Sequence, residues 1–136
     1  MPFGKRAPVG LAVSLLCLAG CGGASQGGGE LLPQLRAAMG KPVDNMEQSK
    51  AHSRLVEDTL ESNALSGMNR AEVEAAIGRG EECSRHPRCA EQGFQNDDWY
   101  YDVGTLGAGI AQLPVLIVGF DHTGHVTRTW NLRTDE

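Results

Sequence analysis

The chain has 136 residues and a formal net charge of -5, with 12 Lys and Arg against 17 Asp and Glu. This length suffices for one domain with a modest core and excludes two. The acidic balance makes nucleic acid a poor partner.

Residues 1–20 have the pattern of a secretory signal peptide. Lys5 and Arg6 form a charged n-region, residues 9–19 form an apolar h-region, and small residues follow. The apolar run is too short to span a bilayer as a stable helix. Removal of this segment takes away both basic residues, so 10 basic residues remain against 17 acidic ones and the net charge becomes -7.

Leu18-Ala19-Gly20-Cys21 matches a lipobox, the signal at which bacterial lipoproteins are cut before an acylated cysteine. The alternative, an ordinary cysteine after a plain signal peptide, is disfavoured by the charge, the length and the small residues of the segment. Residue 22 is glycine and not the aspartate that opposes outer-membrane delivery in a common sorting pattern. We therefore expect lipidation of Cys21 and a location at the periplasmic face of the outer membrane.

Residues 21–42 are predicted to hold the lipidated cysteine and a disordered, flexible linker. Residues 22–29 are mostly glycine, which is typical of a flexible coil. Residues 30–39 carry apolar residues at helical spacing, but Pro33 suits only the first turn of a helix, so this helix is marginal. The domain proper is predicted to span residues 43–136.

A longer helix is predicted over residues 44–62, because Asp44 and Glu47 form a capping box at its start. An apolar stripe follows at Leu55, Val56 and Leu60. The first half, which contains His52, is weakly apolar and is expected to project from the domain or to await a partner.

A short helix is the most complete local pattern in the chain. Asn69 and Glu72 form a capping box, Val73 and Ile77 share one apolar face, and Gly78 can close the last turn.

Three strands are predicted after this helix, over residues 98–101, over residues 113–120 and from Val126 onwards. The turn residues 121–125 separate the last two strands. Residues 104–109 are rich in glycine but lie between two strands, which indicates a hairpin loop and not a phosphate-binding loop.

The order of these patterns resembles the SmpA/OmlA family, also called BamE-like. The residues that carry the resemblance are Gly67-Met68, Val73, Ile77-Gly78, Trp99, Tyr101, residues 115–120, Asp121, Gly124 and Val126. The resemblance implies an α+β fold in which a two-helix layer covers a three-stranded antiparallel sheet. It also implies that Cys21 becomes N-terminal with three acyl chains, which is enough for stable anchoring.

Residues 79–97 form an unusually long loop between helix and sheet, and such a loop is expected to be stapled or functional. Cys83 and Cys89 are the only thiols left once residues 1–20 are removed and Cys21 is acylated, and exported compartments are oxidising. We therefore predict a disulfide between them. The alternative is a metal site on Cys83, His86 and Cys89, which the oxidising compartment, Pro87 and the spacing disfavour.

The titratable residues do not form a catalytic constellation, so we predict no enzyme activity, no metal and no cofactor. His52, His86, His122 and His125 are scattered along the chain. The family resemblance implies instead a non-catalytic accessory in outer-membrane protein assembly or envelope integrity, whose partner is the β-barrel assembly machinery or another envelope protein. An inhibitor-like or ligand-capturing lipoprotein domain is the alternative, because the same architecture resembles β-lactamase-inhibitor-like modules.

A candidate partner surface follows from the alternation of side chains along strands. Leu116, Val118 and Phe120 share one face and are assigned to the core, with Trp99, Tyr101 and Val126 as neighbours on that face. Tyr100, Val115 and Ile117 then form the second face and the candidate partner surface. The alternatives are that residues 79–97 or residues 31–39 fold across this face, or that it is simply exposed.

Overall fold

The computed structural model describes residues 26–107 and 113–132 of the chain. The predicted signal peptide, residues 1–20, and the predicted lipidation site Cys21 lie outside these ranges. The helices are α1 Gln26–Met39, α2 Met46–Glu61, α3 Arg70–Ile77 and α4 Pro87–Glu91, with a 3-10 turn at Cys83–Arg85. The strands are β1 Pro42–Val43, β2 Glu81–Glu82, β3 Trp99–Asp102, β4 Thr105–Leu106, β5 Val115–Phe120 and β6 Val126–Leu132. The predicted α+β class is confirmed.

Helix α1 differs from the prediction, because it runs through Pro33 and starts within the glycine-rich segment. Leu32, Leu35 and Ala38 of this helix are buried in the core. Tertiary packing of this apolar face outweighs the poor helix propensity of the segment. The packed domain therefore begins before residue 43, and the later part of the predicted linker belongs to it.

The N-cap of helix α2 lies one residue later than predicted. Its N-cap is Asn45, whose side chain accepts a hydrogen bond from the Gln48 amide at 2.9 Å. The Gln48 side chain in turn accepts from the Asp44 amide at 2.7 Å. The predicted pair Asp44 and Glu47 is therefore wrong.

Helix α3 forms as predicted. The Asn69 side chain accepts from the Glu72 amide at 2.8 Å, and the Glu72 carboxylate accepts from the Asn69 amide at 3.0 Å. Gly78 follows the helix with a φ of +88°, and its amide donates to the Glu74 carbonyl at 2.9 Å. A positive φ is accessible to glycine at little cost, which explains this residue at the helix end.

The main sheet is antiparallel and has four strands in the order β2-β3-β5-β6. The predicted three strands are β3, β5 and β6, and the prediction missed β2, in which Glu81 pairs with Tyr100 and Glu82 with Trp99. Strand β2 is only two exposed acidic residues long, so it carries no apolar alternation to signal it. A separate parallel pair joins β1 to β4.

Three helices, and not the predicted two, contribute to the core on one face of the main sheet, because α1 packs against α2 and α3. The core between them is built from buried apolar side chains: Leu32, Leu35, Ala38, Val56, Leu65, Val73, Ile77, Trp99, Tyr101, Val103, Leu116, Val118, Phe120 and Val126. The assignment of Leu116, Val118 and Phe120 to this face is confirmed.

Candidate functional site

The second face of the sheet is covered, so the candidate partner surface is wrong. Tyr100, Val115 and Ile117 are 9%, 1% and 0% exposed. Their cover is the cap, defined here as residues 79–97. A second apolar cluster lies between cap and sheet and consists of Cys83, Cys89, Phe94, Tyr100, Val115, Ile117 and Leu132. A strand that is apolar on both faces is thus buried on both faces.

The predicted disulfide between Cys83 and Cys89 is present, with Cα atoms 5.6 Å apart. Both cysteines are buried. Because the sulfur atoms are bonded to each other, they are not thiolate ligands, which removes the metal alternative built on them. The disulfide joins two segments within the cap, and both cysteines belong to the apolar cluster between cap and sheet.

Asp98 joins the end of the cap to the sheet. Its side chain is buried, and its two oxygens accept hydrogen bonds from the Phe120 amide at 2.9 Å and the Gln95 amide at 2.8 Å. The Asp98 carbonyl also accepts from the Cys83 amide at 2.9 Å. Buried carboxylates of this kind are retained where their hydrogen bonds are satisfied, so Asp98 has a structural role.

The outer margin of the cap contains one cluster of titratable residues. The His86 ring stacks on Tyr100 with ring centroids 3.8 Å apart, and its Nε2 lies 2.9 Å from a carboxylate oxygen of Glu81. Partial burial and then the Asp102 carboxylate raise the pKa of Tyr100. Partial burial and then Glu81 raise the pKa of Asp102.

The contacts of this cluster join the cap to β3. A phenol with a raised pKa keeps its proton at neutral pH and is a poor nucleophile or base. The His86 ring is held by the stack on Tyr100 and by Glu81. The contacts serve to dock the cap on β3.

Two of the remaining histidines make their contacts at different places in the fold. His52 is buried beside Val103, while His125 contacts Thr123 with its Nδ1 2.9 Å from the Thr123 hydroxyl oxygen. The expectation that the first half of α2 projects is wrong at His52, which is only 8% exposed. Within residues 26–107 and 113–132, no group of three or more His, Cys, Asp or Glu side chains could hold a metal ion.

The turn between β5 and β6 is organised by Asp121. Its carboxylate accepts from the Thr123 hydroxyl at 2.6 Å and from the amides of Thr123 and His125 at 2.9 and 3.1 Å. These hydrogen bonds, chiefly that of the Thr123 hydroxyl, lower the pKa of Asp121 to about 2. The turn predicted at these residues is thus held by hydrogen bonds to the Asp121 carboxylate.

Two exposed apolar side chains lie in or beside the parallel pair of β1 and β4. We call this pair with its flanking residues the apolar tip and define it as residues 41–46 and 103–107. Met46 is 63% exposed and Leu106 is 61% exposed. Only Trp130, at 42%, joins them as an exposed large apolar side chain in the described residues. Two of these three side chains therefore lie at the tip, on segments about 60 residues apart in the sequence.

The tip is held by backbone pairing. The Thr105 amide donates to the Lys41 carbonyl at 2.9 Å, and the Gly107 amide donates to the Val43 carbonyl at 3.0 Å. A Cβ at Gly107 would lie 2.8 Å from the Val43 carbonyl oxygen, a backbone atom that cannot turn away, so only glycine fits this approach. The exposed side chains are thus displayed from an ordered base.

No family model matches the chain, and no curated protein and no solved structure is significantly similar to it. Across the described residues, no helix is both long enough and apolar enough to cross a membrane. The resemblance to the SmpA/OmlA family thus remains an expectation from the quoted residues.

Sequence reasoning did not find the tip. Residues 104–109 read as a hairpin loop, whereas Thr105–Leu106 pairs in parallel with Pro42–Val43. A two-residue strand gives no periodic signal. The only local hint was Leu106 itself, an isolated apolar residue between glycine-rich stretches.

Proposed function

We propose that this chain is a lipid-anchored, non-catalytic protein-binding module of the outer membrane, with a fold of the SmpA/OmlA type and an accessory role in outer-membrane protein assembly or envelope integrity. The observation that carries the proposal is the apolar tip. Met46 and Leu106 are each more than 60% exposed on a rigid, backbone-paired base. Exposed apolar side chains gathered at one place are typical of protein contact sites.

The position of the tip relative to the proposed anchor supports contact with a protein. The anchor at Cys21 precedes α1, and β1 of the tip follows the end of α1. A helix of 14 residues is about 21 Å long at about 1.5 Å per residue. With the proposed anchor at Cys21, the tip follows the end of α1 that is farther along the chain from the lipid, which favours contact with a partner in the periplasm.

The electrostatics and the side-chain clusters support a non-catalytic role. The cluster of Glu81, His86, Tyr100 and Asp102 docks the cap, and Asp121 organises a turn. The Thr123 hydroxyl lies 2.9 Å from His125 Nδ1, but it donates its proton to the Asp121 carboxylate at 2.6 Å and so holds the turn.

Site-specific photo-crosslinking tests the proposal. A photoreactive amino acid replaces Leu106 in the full chain, expressed in the envelope of its own host, with the same replacement at exposed Ala51 as the matched control. We expect a covalent adduct with a β-barrel membrane protein from position 106 and none from position 51. An adduct with a soluble enzyme would favour the inhibitor-like alternative, and no adduct at position 106 would overturn the role of the tip.

The anchor is tested independently of the tip. We expect the unchanged chain to remain with membranes after a high-salt wash and the Cys21→Ala variant to be released into the soluble fraction. Retention of Cys21→Ala in the membrane fraction, with processing at the same position, would contradict the lipoprotein proposal.

A further inference from the structure

The packing of helix α1 leaves little chain between the domain and the proposed anchor. The side chains of Leu32, Leu35 and Ala38 are buried in the core, and α1 packs against both α2 and α3. Unravelling α1 to lengthen the tether would return these apolar side chains to water, which is unfavourable. Only residues 22–25 then separate Cys21 from the first residue of α1.

The covalent geometry of the chain limits how far the domain can stand from the membrane. Cys21 and Gln26 are five residues apart. An extended chain spans at most about 3.6 Å per residue, so the tether reaches no farther than about 18 Å. Helix α1 adds about 20 Å from Gln26 to Met39, at about 1.5 Å per residue. Met39, two residues before the apolar tip, therefore lies within about 38 Å of the lipidated residue.

The apolar tip and the start of α1 lie at opposite ends of this helix. Helices α1 and α2 pack on each other and are joined by the short connection 40–45, so they run antiparallel. The start of α1 therefore lies beside the end of α2. Residues 67–68, which follow α2, pair with Val126 at the start of β6. We call this end of the domain the anchor end and define it as Glu30, residues 58–68 and residues 121–126.

The anchor end is acidic. Glu30, Asp58, Glu61 and Asp121 are exposed there, and its residues include no lysine and no arginine. Asp121 keeps its charge down to acid pH, since its hydrogen bonds, chiefly that of the Thr123 hydroxyl, lower its pKa to about 2. Lysine and arginine draw a protein surface onto anionic head groups, whereas carboxylates are repelled. The tether, and not charge, therefore holds this end near the lipid.

We propose that the domain stands on the membrane with its anchor end towards the head groups and its apolar tip facing away, so that the tip fits a partner whose contact site projects no more than about 40 Å from the bilayer. The tether opposes the reverse orientation. With the tip on the lipid and α1 upright, the start of α1 would stand at least about 20 Å above the surface, beyond the reach of about 18 Å. This inference rests on the proposed lipidation of Cys21 and adds to the proposed function the position from which the tip acts.

Energy transfer to a labelled lipid tests the orientation. The full lipidated chain is reconstituted into vesicles of phosphatidylethanolamine and phosphatidylglycerol that contain a rhodamine-labelled lipid as acceptor. A donor dye is placed on Glu30→Cys or on Leu106→Cys in separate preparations, and the native cysteines of the cap do not react because they are bonded to each other. We expect the dye at position 30 to lie about 20 Å closer to the acceptor plane than the dye at position 106. A difference of less than about 10 Å, or a shorter distance from position 106, would overturn the orientation.

A spacer tests the contribution of the short tether. Insertion of 20 Gly and Ser residues after Ser25 should lower the yield of the photo-crosslink from position 106 about tenfold, because effective concentration falls roughly as the -3/2 power of linker length. Replacement of residues 22–25 by four other Gly and Ser residues is the matched control and should leave the yield unchanged. Equal yields from the long and the short tether would overturn the role of the tether.

The two experiments separate this inference from the proposed function. A chain that forms no adduct at position 106 contradicts the proposed role of the tip, while energy transfer still decides how the domain stands. Mass measurement of the reconstituted chain shows whether Cys21 is lipidated, and an unlipidated chain would overturn both proposals.

Discussion

The Nδ1 atom of His52 lies 2.9 Å from the carbonyl oxygen of Val103, and both residues are buried. A carbonyl oxygen can only accept, so Nδ1 carries the proton and donates it. This contact joins α2 to Val103, which lies between β3 and β4 and belongs to the apolar tip. A Cβ at the next residue, Gly104, would lie 2.9 Å from the same Nδ1 atom, which shows how closely the two segments approach.

We expect His52→Leu to destabilise the domain by about 1–3 kcal/mol, because the buried Val103 carbonyl loses its donor. Urea denaturation monitored by circular dichroism measures this change. The matched control is His122→Leu at the exposed turn, which should change stability by less than about 0.5 kcal/mol. Equal effects of the two variants would show that the contact with Val103 does not stabilise the fold.

Because the cap covers the second face of the sheet, we expect a charged substitution to be equally destabilising at neighbouring residues of β5. Ile117 and Val118 are both 0% exposed although they point to opposite faces. Ile117→Lys and Val118→Lys should each abolish the cooperative thermal transition, because a buried unpaired ammonium is costly on either face. Ala51→Lys, on the exposed side of α2, should melt like the unchanged chain. Normal melting of Ile117→Lys would show that the cap does not cover this face.

The disulfide should contribute measurably to stability. It closes a loop of seven residues from Cys83 to Cys89, for which the chain-entropy relation gives about 2.4 kcal/mol. We expect the double variant Cys83→Ala, Cys89→Ala to lose about this free energy of unfolding in urea denaturation. A reducing agent should destabilise the unchanged chain and leave the double variant unaffected. An unchanged chain that is insensitive to complete reduction would contradict the prediction.

Asp121 should make stability depend on acid pH. Its pKa in the folded chain is about 2, below the ordinary value of 3.8, because the Thr123 hydroxyl and backbone amides favour the charged carboxylate. The folded state therefore gains stability above about pH 4 and loses it as the pH falls towards 2. Asp121→Asn should show a smaller loss of unfolding free energy across this window in urea titrations at several pH values. Identical slopes would mean that the turn does not depend on the charged form.

Local sequence patterns were sufficient to predict hydrogen bonds whose two partners lie within a few residues of each other. The capping box of Asn69 and Glu72 formed as predicted, because both groups belong to the same helical turn. At the start of α2, Asp44 and Asn45 are adjacent and both are suitable N-cap residues, so the capping pattern alone does not decide between them. The choice depends on Val43, which is fully buried in β1 and sets the position of Asp44 beside Gly107.

The sequence by itself determined the α+β class, the two faces of β5 and the pairing of Cys83 with Cys89, because these depend on alternation, on helical period and on the small number of remaining thiols. Only the tertiary structure decided what covers Tyr100, Val115 and Ile117, that α1 belongs to the core and that Met46 and Leu106 share one tip. These features rest on contacts between segments far apart in the chain, and side-chain periodicity carries no information about which segment packs on which face. Burial of apolar side chains on both faces of the sheet fixed these contacts, and it left Met46 and Leu106 exposed at the tip.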